Sequence, residues 1–534
     1  MKKIYKTIVL LGTIATLGTS CNDWLNVYPS DQIKEEFLFE TGDGYRAALN
    51  GIYRKMTSWS IYGSNLKWGI IDAWGQVYDM ELSAIANGGQ PMKKIEILDF
   101  KNLELTPTTD QMWSDAWNIV ANCNELAQQA ELADSTLFYE GESERRMILG
   151  EAIGLRAYLQ FDLLRVYAPS PAMNPGERTF IPYVNTYPAY VNNRETVSYC
   201  LEQIIKDLRK AQDLLLKVDQ NSNWSDRFEE VKNDENLFKA SRGFRLNYYA
   251  VTAELARVYL YAGMPDKAYE QADIIIQKSD LFAALTDREE ALKRIKDGNL
   301  KMYDDIIFAL YSPTDQVEWD RLINHSDDKA EGSTDREYFL GISSAIARER
   351  YGDDLETDWR ICNQMEQRKS GDYRTLKYYE QLNSYKYAEV NNMIVPMFRM
   401  SEVYYIAAEA IYKKDLDKAK DYLKLVKKGR GVEDDLGNVT EADFMDVLVN
   451  DAQREFLGEG QTFFMFKRLM RTMKGREEVQ AKKRTWCCRC PNRRVLFNLK
   501  RIKTYENKRY IVCRSNGMHG HVILYFLSRR RTGC

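Results

Sequence analysis

Histidine is scarce in this chain. Of three in 534 residues, His325 alone precedes position 500, beside Asp327 and Asp328 in a polar stretch. A Ser/His/Asp or Cys/His relay needs an imidazole beside its nucleophile. Nucleophilic catalysis would therefore have to run through His325, whose surroundings read as a solvated surface loop. The chain has no HExxH helix, Walker loop or GxGxxG turn to bring metal or phosphate chemistry. Glycoside hydrolysis needs only two carboxylates; with 78 acids in the chain, no pair is marked out. Cys487, Cys490, Cys513 and His519 are the residue types of a tetrahedral zinc site, but one Cys-x2-Cys knuckle is a weak signal. The expectation is a protein with no catalytic residue, no metal and no cofactor.

What the sequence does offer is aromatic rings among amides and acids. Trp59, Tyr62, Trp68, Trp74 and Tyr78 lie in one non-periodic stretch with Asn65, Asp72 and Gln76 between them. Flat rings stack on the C–H face of a pyranose while amides, carboxylates and guanidinium groups meet its hydroxyls. Tyr303, Tyr311 and Trp319 form a second set, near Asp315, Arg321 and Asn324. The first set is the expected ligand site. Trp113 and Trp117, four apart on a helical stripe, read as core.

Helices must position these rings. Helical period predicts elements over about 111–131, 151–167 and 196–216, the second stopped by Pro169 and Pro171. Residues 246–262, a turn at Gly263 and 265–279 read as a tetratricopeptide-like hairpin, in which Ala250, Ala253 and Ala268 let two helices approach closely. Residues 398–412 and 418–428 repeat the pattern. Residues 57–110 and 281–395 lack sustained period and read as loops with short elements, the usual place for recognition. The fold class expected is all-α: a solenoid of helix pairs with irregular insertions.

The amino terminus points outward from the cytoplasm. Lys2, Lys3 and Lys6 precede an apolar run from Ile8 to Leu17, and Gly18, Thr19 and Ser20 lead into Cys21. This is the layout of a signal peptide over 1–20 and a lipidated cysteine at 21, with residues 21–40 as tether. Charge is uneven: residues 481–534 hold 15 Lys/Arg and one acid, leaving 60 bases and 77 acids before them, a balance of −17. An acidic body argues against a nucleic-acid partner.

The helical segments carry motifs that resemble the SusD/RagB family of outer-membrane lipoproteins. They are Gly150-Glu151-Ala152 with Leu155-Arg156-Ala157-Tyr158 and Phe161-Asp162-Leu163; Ala256-Arg257-Val258-Tyr259-Leu260-Tyr261; Arg399 with Glu402-Val403-Tyr404; and Arg454-Glu455-Phe456 with Glu459-Gly460. Thr462 and Met465 depart from the family's usual Arg and Asp. The resemblance implies four tetratricopeptide-like pairs over 41–476 and a lipid anchor that holds the protein, surface-exposed, on the outer membrane. It also implies capture of an oligosaccharide for a SusC-like TonB-dependent transporter. The alternative it leaves is a protein- or peptide-binding lid of such an importer.

Residues 477–534 do not fit. Where the family ends in an apolar, proline-containing stretch, this chain has Trp486-Cys487-Cys488-Arg489-Cys490-Pro491-Asn492. Read from the last base of the Trp486 codon, the same bases encode Val and Leu and then permit Pro, Leu, Pro and Glu. A single-base shift between Arg471 and Thr485 accounts for both the lost ending and the basic, cysteine-rich tail. Resequencing that DNA is expected to restore a V-L-P-L-P-E ending; an undisturbed frame contradicts the shift.

Overall fold

The computed structural model describes residues 35–79, 105–189, 192–220, 240–285, 288–312, 340–378 and 385–474, with shorter pieces at 224, 227–228, 238, 478–479, 504–505, 508–513 and 523–526. The signal peptide, Cys21, Trp319, His325 and the side chains of Cys487, Cys490, Cys513 and His519 lie outside the described residues. No helix among those described is long and apolar enough to cross a membrane.

The architecture is the expected helix-pair assembly. Helices α1 (Glu35–Leu38), α2 (Gly42–Met56) and α3 (Ile70–Trp74) lead into a long pair, α4 (Thr106–Leu132) and α5 (Gly141–Tyr167). α4 starts five residues before the apolar stripe because Pro107, which has no N–H to satisfy, occupies its first turn. α5 starts ten residues early, where Glu142 and Glu144 favour a helix amino terminus. It ends where Ala168 turns extended ahead of Pro169.

α5 is the buried axis of the fold. From Met147 to Tyr167 every residue is buried. α6 (Val197–Asp219) and α7 (Tyr248–Tyr261) pack closely on it, and two glycines allow this. A Cβ at Gly150 would stand 2.9 Å from Leu215 Cγ, and one at Gly154 2.5 Å from Leu246 Cδ2. Side-chain caps start the surrounding helices: the Thr196 hydroxyl accepts from Tyr199 N at 3.2 Å and Asn247 Oδ1 from Ala250 N at 2.9 Å.

The two predicted hairpins are present. α7 turns through Gly263 (φ 75°) into α8 (Pro265–Ile276). After the short helices α9 (Arg288–Lys296), α10 (Ser344–Tyr351), α11 (Trp359–Cys362) and α12 (Ala388–Met393) comes the second hairpin, α13 (Met400–Ile411) and α14 (Leu416–Lys428). α13 packs on α8, so the hairpins stack, with Ala250, Ala253, Ala268 and Ala407 at their contact faces fully buried. α15 (Glu441–Glu455) and α16 (Thr462–Leu469) close the body.

Strands are few. β1 (Thr179–Ile181) and β2 (Glu195–Thr196) pair, and β3 (Ile306–Tyr311) runs antiparallel to a later strand, Ile394–Arg399, with Tyr311 opposite Ile394. Between them Gly341–Ile342, Tyr373–Thr375 and Met365–Gln367 form a small sheet. Cys123 and Cys200 are buried free thiols and Cys362 an exposed one, so the described body holds together without disulfides.

Buried charge ties the insertions to the helices. The Glu455 carboxylate accepts from Arg399 Nη1 at 2.6 Å, Arg430 Nη2 at 2.6 Å and Arg360 Nη1 at 3.3 Å. Arg430 also reaches Asp305 at 2.5 Å, and Arg399 and Lys377 share Glu459 at 3.0 and 2.6 Å. A second cluster joins Glu151 and Asp219 to Arg242 at 2.6 and 2.7 Å, with the Tyr53 hydroxyl donating to Glu151 at 2.6 Å.

Burial alone would raise the Glu455 carboxyl, but Arg430 and Arg399 outweigh it and hold the group well below the usual carboxylate range. Its contribution to stability is therefore full above the free-glutamate pKa near ~4.3 and is lost as pH falls through the folded value. Glu455→Gln is expected to cost about 3–5 kcal/mol, since it leaves buried guanidinium groups uncompensated. Denaturant melts at pH 7 and at pH 3.5 check this: the gap between variant and parent should narrow at the lower pH. An equal gap at both would contradict the assignment.

Candidate functional site

The expected platform divides between core and surface. Tyr62, Trp68, Trp74 and Tyr78 are each 1% exposed. Tyr62 donates to Asp162 at 2.6 Å and meets Tyr158 edge-on at 5.9 Å. Trp68 packs on Tyr378 at 6.1 Å and Trp74 on Phe463 at 5.6 Å. The acid among them, Asp72, accepts from Gly460 N at 2.9 Å, and burial pushes its carboxyl up to about 8. In this arrangement those four rings present no face to a sugar. Trp59 alone stays partly exposed, edge-to-face on Trp68 at 5.0 Å.

The second predicted set fares differently. Tyr311, the last residue of β3, is 44% exposed and lies edge-to-face on Phe244 at 5.2 Å. Phe244 meets Phe228 at 5.1 Å, Phe228 meets Tyr303 at 6.1 Å, and Tyr303 meets Tyr387 at 6.2 Å. Five rings thus form a continuous strip in which Phe244, Tyr303 and Tyr387 are half-buried. Tyr385, two residues from the end of the strip, is exposed.

Backbone clamps hold the strip. The Arg227 guanidinium, next to Phe228, donates to Ile306 O at 3.0 Å and Trp224 O at 3.1 Å, and also to Asp304 O. Burial lowers this guanidinium to about 10, with Asp304 and Asp305 opposing the shift. Asn247 Nδ2 donates to Ile307 O at 2.9 Å and to Arg242 O at 3.1 Å, fixing β3 to the turn that carries Phe244. Gly243 is required there: a Cβ would stand 2.6 Å from Phe228 Cε1.

Polar groups border the rings. Asp304 pairs with Arg294 and accepts from Asn299 Nδ2 at 2.6 Å; burial raises its carboxyl, against the pull of Arg294 and Arg227. The Arg294 guanidinium lies 5.2 Å from the Tyr387 ring centre and the Lys386 ammonium 5.0 Å from it. Rigid rings edged by carboxylate, amide and cation can stack sugar rings and satisfy their hydroxyls. Among the described residues no group of His, Cys, Asp and Glu could hold a metal ion.

One small cleft opens between α7, α13, α15 and α16, floored by Leu260, Ile406, Leu448 and Phe464. Its charges are already paired: Arg257 with Glu402 at 2.7 Å, Arg468 with Glu409, and Arg165 with Asp162. They brace the helices that form its walls. Met465, at one of the family-divergent positions, is buried in its lining.

The chain is similar to known proteins in sequence and in fold. A sequence profile described as SusD-like, "Starch-binding associating with outer membrane", matches residues 76–230, and one described as "SusD family" matches 350–505. The chain belongs to the SusD/RagB family. A SusD superfamily protein from Bacteroides thetaiotaomicron superposes with a TM-score of 0.61 at 22% identity, covering 84% of this chain and 96% of that one. A SusD-like carbohydrate binding protein from Bacteroides vulgatus gives 0.61 at 17%, covering 85% and 95%. These likenesses concern the fold. In sequence, SusD-like protein P2 of Formosa agariphila is 23% identical over 287 residues, 53% of this chain and 48% of that protein. The chain thus spans about half the length of the curated relatives it matches.

Membership explains where the motif residues went. Arg257, Arg399, Glu402, Glu455 and Glu459 all lie in buried ion pairs, so the signature of this SusD/RagB protein is a signature of its interior. Phe228, Phe244, Tyr385 and Tyr387 were not singled out in the sequence. They stand in three separate segments with no shared period, and only the fold brings them to Tyr303 and Tyr311.

Proposed function

We propose that this protein is a glycan-binding lipoprotein of the outer-membrane surface that captures an oligosaccharide along the aromatic strip from Tyr311 to Tyr387, without cleaving it. Its anchor is an acylated Cys21, and it passes the ligand to a SusC-like TonB-dependent transporter. The observation that carries the reading is the strip itself: five linked rings, partly open to solvent and edged by Asp304, Asn299 and Arg294. The carbohydrate binding named for the structurally similar Bacteroides vulgatus protein and the starch binding in the matched family description support it. Stacking on rings held rigidly from behind suits a carrier, which needs affinity and no covalent step.

Isothermal calorimetry against a panel of α- and β-linked gluco-, manno- and xylo-oligosaccharides tests this. Tyr311→Ala and Tyr303→Ala are each expected to weaken the glycan that binds by about tenfold, near 1.4 kcal/mol. Trp59→Ala serves as the comparison, because Trp59 is the remaining member of the first set. Unchanged affinity in both tyrosine variants, with loss in Trp59→Ala, would move the site to Trp59. Binding of peptides and of no glycan would favour the importer-lid reading.

A further inference from the structure

Apolar side chains at the surface are not scattered evenly. Of the large ones that are exposed, Phe37 (51%), Leu132 (86%), Leu137 (40%) and Tyr139 (81%) fall at one tip of the molecule. Their proximity is fixed by contacts beneath them. Tyr45, near the start of α2, packs at a tilt against Phe39 and Phe138, each at 5.0 Å, and its hydroxyl donates to Gln129 O at 3.4 Å, one turn before Leu132. Gly42 abuts Leu137, whose carbonyl oxygen a Cβ there would approach to 2.4 Å. The Arg46 guanidinium, held by Glu144 at 2.5 Å, lies 6.0 Å from the Tyr139 ring centre.

A single exposed leucine is ordinary on a protein surface. Several such side chains on one tip mark a contact surface. The tip is also where the chain enters the body, with Phe37 sixteen positions after Cys21. Fully extended, that stretch reaches at most about 55 Å, whereas a folded body of about 440 residues has a radius of gyration of about 22 Å and is more than twice that across. An acyl group on Cys21 would therefore keep this tip nearer the lipid surface than the far end of the body. Bringing the far end there instead would draw the tether out to its full length.

We propose that the tip formed by Leu132, Leu137 and Tyr139 is a membrane-contact surface that seats in the interfacial layer of the bilayer and fixes how the body stands on it. The inference rests on the lipid-anchor reading. Leucine supplies apolar area and tyrosine the amphipathic ring suited to the headgroup level. The rim carries exposed Glu40 and Asp134, while Asp43 is paired with Arg46 at 3.6 Å and Glu131 with Lys210 at 2.8 Å. That rim disfavours anionic headgroups, so apolar insertion and not charge drives the contact.

The mature chain from residue 21 onward, carrying Cys21→Ser so that neither the apolar leader nor a lipid is present, isolates the tip from the anchor. In co-sedimentation it is expected to partition onto phosphatidylcholine vesicles, and no better onto phosphatidylglycerol ones. Adding Leu132→Ser, Leu137→Ser and Tyr139→Ser should lower the partition coefficient at least about tenfold, and Leu132→Ser alone about threefold. Leu132, Leu137 and Tyr139 are all exposed, and matched thermal melts check that the fold is kept. No partition of the Cys21→Ser chain, or equal partition of the variants, overturns the inference; so does salt-sensitive binding to anionic vesicles only. A dimer lost in the triple variant without vesicle binding assigns the tip to a second copy and overturns it too. Palmitate incorporation into the unsubstituted chain reports on Cys21 separately.

Discussion

The carboxylate of Glu455 is the point on which the fold turns. Three guanidinium groups, from Arg360, Arg399 and Arg430, converge on it in a fully buried setting. These arginines come from α11, from the strand leading into α13 and from the turn after α14, three separate segments of the chain. Charges this deep are tolerated only when each is matched by another and by hydrogen bonds. Asp451, Asp358, Asp305 and Glu459 supply the remaining matches at 2.5–3.0 Å. The network specifies one arrangement of helices because any other strands a charge.

The same network holds the candidate site. Asp305, bonded to Arg430, is the last residue of the turn that carries Tyr303 and Asp304, and it immediately precedes β3, which ends at Tyr311. Arg399, bonded to Glu455, ends the strand that pairs with β3. Both strands of this ladder are thus tied to the helical body by ion pairs at their Ile306–Arg399 end. Rigid presentation of the rings lowers the entropy cost of binding, which is what a stacking site without covalent chemistry requires. Acid that weakens the pairs on Glu455 should loosen the strip as well as the fold.

Much of the scaffold was legible in the sequence. Periodicity located α4 to α8, α13 and α14, and the alanines of the two hairpins lie where close helix contact demands them. The first aromatic cluster was misleading for a physical reason. Residues 59–78 have no helical period, which reads as a loop, yet tertiary packing buries them: Trp68 meets Tyr378 and Trp74 meets Phe463, partners more than 300 positions away. Local pattern cannot register such contacts. Tyr303 and Tyr311 were visible as aromatics near acids, but Phe228, Phe244 and Tyr387 become their neighbours only through β3 pairing and the clamps of Arg227 and Asn247.

Amide hydrogen exchange with and without a bound oligosaccharide tests the central claim most directly, since it reads every segment at once. Ligand should slow exchange at residues 242–246, 303–311 and 385–390, and leave 62–78 unchanged. Protection confined to 59–78, or to the cleft between α13 and α16, would contradict the assignment of the aromatic strip as the place where sugar is held.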